Sequence, residues 1–105
     1  MPYMTAKLLF HTKNVNLNGD IIEIKIWQVP ESKDKHHGLK YSLVYIKNGE
    51  RIAGGGNAEG KDDHRHYKTE EYRYRFKDID GLIKDFYEDI NRIKRGDYEN
   101  EDKKN

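Results

Sequence analysis

The chain has 105 residues, of which 34% are hydrophobic, 37% charged and 11% aromatic, with a formal net charge of +1 and no cysteine. That length suits one domain with one modest core, and it excludes a cofactor domain and a substrate domain side by side. No run approaches the ~18 apolar residues of a membrane span, and disulfide scaffolds and thiolate zinc sites are ruled out.

Two Asn-Gly pairs punctuate the first half. Asn18-Gly19 separates LLFHTKNVNL from DIIEIKIWQV, and Asn48-Gly49 separates LKYSLVYIK from ERIAGGG. Asn-Gly between alternating apolar residues marks a hairpin, because its type I′ turn needs positive φ at both central positions. Two-residue loops would pair Phe10 with Trp27 and Leu8 with Val29. In the second hairpin they would pair Tyr45 with Ile52 and Val44 with Ala53. Trp27 is then expected to be a core anchor beside Phe10. Pro30 ends the second strand, and residues 31–38, ESKDKHHG, read as a loop.

Further strands are predicted over about 63–68 and 72–76. Strict alternation in YRYRF puts Tyr72, Tyr74 and Phe76 on one face and Arg73 and Arg75 on the other. The period then changes. Ile79, Leu82, Ile83, Phe86, Ile90 and Ile93 follow the spacing of an amphipathic helix over 79–94. Asp78 or Asp80 can cap its start, and Gly96 its end. The expected fold class is α+β: a mainly antiparallel sheet of five to six strands built from hairpins, with one C-terminal amphipathic helix packed on one face. The YRYRF aromatics are the expected seat of that helix. Residues 1–96 form the single domain, and 97–105 form a charged, frayed tail. MPYMTAKLLF has no basic stretch leading into an apolar one, so a soluble cytoplasmic protein is expected.

The net charge hides a segregation. Residues 33–77 carry eleven Lys or Arg against seven acids, whereas residues 78–105 carry six against nine. The middle could attract a polyanion weakly, or be an ordinary solvated surface.

The densest polar cluster is GGGNAEGKDDHRHYK, residues 54–68. As a phosphate loop, Gly54-Gly55-Gly56 lacks the following helix and the Gly-Lys-Ser/Thr, so a flexible or bulged strand end fits better. As a metal site, His64 and His66 share a strand face with Asp62, and Asp63, His36 or His37 could add a ligand, but His-x-His is a weak signal. As a site for acid/base cleavage of RNA, His64 and His66 supply both proton roles, and Arg65 and Lys61 are cations close in sequence. Arg65 points away from the two histidines on a regular strand, so Arg73 and Arg75 on the next strand could hold the phosphate instead. The bland alternative is that the histidines merely tile a polar sheet face. Tyr41, Tyr45, Tyr72 and Tyr74 could stack bases, but most suit the core better.

In chain order these features are Ile-Trp-x-Val-Pro (26–30), a Tyr-rich strand (41–46), Gly-Glu-Arg-Ile (49–52), Asn-x-x-Gly-Lys-x-Asp-His-Arg-His (57–66), Tyr-x-Phe (74–76) and Leu-x-x-Asp-Phe (82–86). Together they resemble the TumE-type toxin family of prokaryotic toxin–antitoxin pairs, over most of residues 6–94. The resemblance implies a small toxin acting on RNA or translation, with a helix-turn-helix antitoxin as partner. Partners are then that antitoxin and RNA, with no membrane and with a homodimer allowed. The chain departs from the family pattern in one place: an acid commonly precedes the Asn, and here Gly56 stands there.

The leading expectation is therefore a toxin with endoribonuclease-like chemistry and no cofactor. Its catalytic residues would be His64, His66 and Arg65, and Lys61, Arg73, Arg75 and Asn57 would bind substrate. The alternatives are a non-catalytic module binding RNA or protein, and a metal-dependent hydrolase using Asp62, Asp63, His64 and His66.

Overall fold

The computed structural model describes residues 6–33, 37–57 and 62–96. Six strands run in sequence order, β1 (Lys7–Val15), β2 (Ile21–Gln28), β3 (Leu39–Lys47), β4 (Glu50–Gly56), β5 (His64–Tyr67) and β6 (Glu70–Arg73), followed by the helix α1 (Ile79–Lys94). The strands form one six-stranded sheet in the order β1-β2-β3-β4-β5-β6, and each adjacent pair is antiparallel. The architecture is α+β, as the hairpin and helix signals predict.

Both Asn-Gly pairs turn the chain, but with different registers from those expected. Around Gly19 the connection is not a two-residue loop, because Val15 already pairs with Ile21. The Asn16 side chain accepts from the backbone N–H of Asn18 and Asp20, at 2.9 and 3.0 Å, and holds residues 16–20 as a wider turn. That turn sets Phe10 against Ile26, and a bulge between Leu8 and Phe10 then sets Leu8 against Trp27. At the second turn Asn48 and Gly49 have φ of 56° and 78°, as a type I′ turn requires. Here a bulge between Tyr45 and Ile46 slips the register, so Tyr45 faces Ala53 rather than Ile52, and Val44 faces Gly54.

Alternation sorts the side chains onto two faces. Ile24, Ile26, Tyr41, Leu43, Tyr45 and Ala53 project to one side and are buried with Leu82, Phe86, Ile90 and Ile93 of the helix. The seat of α1 is thus the middle of the sheet rather than the YRYRF segment. β6 ends at Arg73, Tyr72 is 44% exposed, and only Tyr74 and Phe76 reach the margin of the core. Trp27, expected in that core, lies on the opposite face, because it alternates with the buried Ile24 and Ile26 of its own strand, and the wider turn sets Phe10 against Ile26 rather than against Trp27.

The helix matches its predicted span of 79–94. Asp78 caps it by accepting from the Gly81 N–H at 2.7 Å. Gly96, at φ 94°, closes it by donating to the Ile93 carbonyl at 3.0 Å. The tail 97–105 lies outside the described residues.

Gly54-Gly55-Gly56 is neither a phosphate loop nor a frayed end. It is the second half of a central strand, between β3 and β5. A Cβ on Gly54 would collide with the Leu43 carbonyl, and one on Gly55 would stand 2.7 Å from the His64 carbonyl oxygen. The glycines therefore let β5, and with it His64, approach closely.

Candidate functional site

β5 puts His64 and His66 on the face that α1 leaves uncovered, while Arg65 and Tyr67 turn toward the helix. The two imidazoles lie edge to face with ring centroids 5.0 Å apart. Their surroundings differ. His66 Nε2 is 3.2 Å from the Arg51 guanidinium, which carries only donors, so this nitrogen accepts. His64 Nδ1 is 3.2 Å from the backbone carbonyl of Asp62, so it donates and carries its hydrogen there.

On the next strand Arg73 faces His64 and Glu71 faces His66. Arg73 bridges to Asp62 at 3.2 Å, but the two side chains are 80% and 72% exposed. A pair so solvated is weak, which leaves the guanidinium free to exchange its partner for an anion. Asp62, His64, Glu71 and Arg73 line a recess of about 280 Å³ at this end of the sheet.

The other expected site residues lie elsewhere. Arg65 faces the helix, where Nε and Nη2 donate to both carboxylate oxygens of buried Asp89, at 2.7 and 2.9 Å. Its guanidinium also lies over the Tyr67 and Tyr72 rings. The hydrogen bonds it donates to Asp89 push its pKa further up, so it stays charged. Asn57 is fully buried: its Oδ1 accepts from the Tyr41 N–H at 3.0 Å and its Nδ2 donates to the Leu39 carbonyl at 2.8 Å. It thus bonds to the start of β3 as an extra strand residue would. Arg75 is exposed beyond the end of β6. Lys61 and His36 lie outside the described residues.

The four groups of the metal reading do not converge. Asp62 goes to Arg73 on the open side. Asp63 accepts instead from Tyr41 Oη at 3.1 Å and from His37 Nε2 at 3.2 Å, and His37 packs on Phe76 with ring centroids 4.2 Å apart. Among the described residues no three His, Cys, Asp or Glu side chains gather as a metal site needs. Asp63 instead anchors the chain just before His64, and its carbonyl accepts from the Tyr74 N–H at 3.1 Å.

Sequence reasoning missed Arg51, the Asp63 anchor and Asp89. Only Asp89 left a signal, as an acid within the apolar stripe of Phe86, Ile90 and Ile93. An acid at such a position implies a charged partner across the interface. Gly56, where the family pattern carries an acid, pairs with His64 across β4 and β5. An acid there would stand on the open face beside His64.

Burial raises the pKa of three phenols above the ordinary 10.0: Tyr41, with Asp63 beside it; Tyr74, which also donates to Asp85 at 2.6 Å; and Tyr45. Folded phenols then stay protonated at a pH where the unfolded chain loses their protons. Stability should therefore hold below about pH 10 and fall above it. Urea midpoints between pH 9 and 11 check this: Y41F/Y74F should show a shallower fall than the parent, and an equal fall would mean these phenols titrate freely.

A family model described as Toxin TumE matches residues 5–94. No curated protein and no solved structure matches the chain.

Proposed function

The chain belongs to the toxin TumE family, whose membership implies an antitoxin partner, and from that premise we propose that it is a toxin that cleaves RNA in the cytoplasm by metal-independent acid/base chemistry. The observation that carries this reading is the His64–His66 pair on the uncovered sheet face, flanked by Arg51 and Arg73.

The unlike surroundings of the two rings divide the proton roles. His66, whose Nε2 turns its lone pair to Arg51, is the base that removes the proton of a 2′-hydroxyl as that guanidinium passes to the phosphate. The 2′-oxygen attacks the adjacent phosphorus, and the bond to the 5′-oxygen breaks. His64, whose Nδ1 is held by a carbonyl, protonates that leaving oxygen from Nε2. The products are a 2′,3′-cyclic phosphate and a 5′-hydroxyl. Arg73 and Arg51 stabilise the charge that builds on the phosphate oxygens. Arg65 acts as a positioning residue: by holding Asp89 it fixes β5 from behind. Asn57 plays a similar part at the start of β3.

Induced expression tests the proposal. The chain should arrest growth and fragment RNA, and co-expression of a cognate helix-turn-helix antitoxin should relieve both effects. Growth arrest with intact RNA would remove ribonuclease action from the account.

A further inference from the structure

We infer that the uncovered sheet face is a track for single-stranded RNA, running across the strands from Arg73 and His64 at one end to Lys25 and His11 at the other. This rests on the RNA reading of the preceding section and extends it to where the rest of the substrate lies.

The observation is a register row. His11 pairs with Lys25, Lys25 with Ser42, Ser42 with Gly56, Gly56 with His64, and His64 with Arg73. Residues that pair directly project to the same face, so these six form one line across all six strands. The line is basic at both ends. In its middle Gly56, with Gly54 diagonally behind it, leaves the face low. Strands lie about 4.8 Å apart, so His64 to Lys25 spans roughly 14 Å and His64 to His11 roughly 19 Å. A polyanion lying in the low middle would meet cations at each end.

The charges on this face favour that occupant. Lys13, Lys25, Lys40, Arg51 and Arg73 stand against Glu23, Glu71 and Asp62. Glu23 is held by His11 at 2.9 Å and Lys25 at 3.8 Å, and the His11 hydrogen bond lowers its pKa. That carboxylate is partly solvated, so a phosphate can replace it as the partner of Lys25. Trp27 supplies the aromatic element. It stands two residues from Lys25 on the same strand face, half-buried, with the Lys40 ammonium 5.7 Å from its ring centroid. An aromatic ring among cations on an open sheet is the arrangement on which unpaired bases stack.

Trp27 is the only tryptophan, so its fluorescence reports directly on the track. Full-length H64Q/H66Q protein, which should bind without cleaving, would be titrated with a single-stranded octanucleotide and with a dinucleotide. The octanucleotide should quench Trp27 and bind more tightly, while the dinucleotide should engage only the histidine end and leave the fluorescence unchanged. Adding K13A/K25A should weaken octanucleotide binding about tenfold and lower its salt slope by about 2, with dinucleotide binding unaltered. Octanucleotide binding insensitive to K13A/K25A, or without Trp27 quenching, would overturn the track and leave the cleavage site untouched. Loss of antitoxin binding in K13A/K25A with RNA binding unchanged would likewise overturn it, by assigning the face to protein. Failure of both RNAs to bind would overturn the track and the RNA reading together.

Discussion

Replacing either His64 or His66 with Gln should lower the rate of RNA cleavage roughly 10²–10⁴-fold, the usual contribution of a positioned acid or base. The two losses should not add, because removing one member of a pair that works as a unit already disables the other. Toxicity on expression should disappear in the double variant. The fold should survive, since both side chains are half-buried on an uncovered face and such substitutions usually change stability by less than about 0.5 kcal/mol. One ring must be neutral and the other protonated, so the parent's rate should pass through a maximum near neutral pH. Circular dichroism on each variant separates lost chemistry from lost structure. A folded double variant that arrests growth as the parent does would disconnect toxicity from this pair.

The largest expected loss of stability comes from the other face of the same strand. Asp89 is 5% exposed and accepts from Nε and Nη2 of Arg65. Asp89→Ala leaves a largely enclosed guanidinium without its partner, a change that costs about 3–5 kcal/mol in buried pairs. The Arg65 side chain keeps 30% exposure, so water repays part of this and about 3 kcal/mol is expected. That is a large share of the 5–15 kcal/mol that holds a small domain together. Asp62→Ala removes a pair of similar length but high exposure and should cost under about 1 kcal/mol. R65M/D89L should recover most of the loss, because apolar groups of like size replace buried ion pairs well. Urea denaturation measures all three variants. If Asp89→Ala matches Asp62→Ala, the Arg65–Asp89 clamp does not hold the helix to β5.

Local chemistry decided what could be read from the sequence. The helix was legible to the residue because its apolar period, its Asp78 cap and its Gly96 stop agree. The hairpins were legible as hairpins, but their registers were not. The first slipped by one at its turn, where residues 16–20 stand in place of a two-residue loop, and the second slipped at the Tyr45/Ile46 bulge, which adds a residue to one strand without any fixed sequence mark. With the first slip Phe10 faces Ile26, and Trp27, which alternates with Ile26 along its own strand, is left on the open face. The shared face of His64 and His66 was legible because period-two alternation needs no partner strand. Arg51 was not: its approach to His66 depends on tertiary pairing across β4 and β5, beside the second bulge. The short β6 was hidden as well. YRYRF alternates to its end, yet the strand ends at Arg73, and Phe76 packs on His37 and Tyr41.

On the proposed mechanism a histidine pair turns the RNA's own 2′-hydroxyl on its phosphate. The most direct measurement treats purified parent protein, after prolonged chelation, with a single-stranded RNA and with its 2′-O-methyl counterpart, and identifies the new ends by mass spectrometry. The RNA should yield 2′,3′-cyclic phosphate and 5′-hydroxyl ends, and the methylated strand should stay intact. Cleavage that stops on chelation, returns with a divalent cation and leaves 5′-phosphate ends on both strands would contradict it and assign the reaction to a metal-activated water.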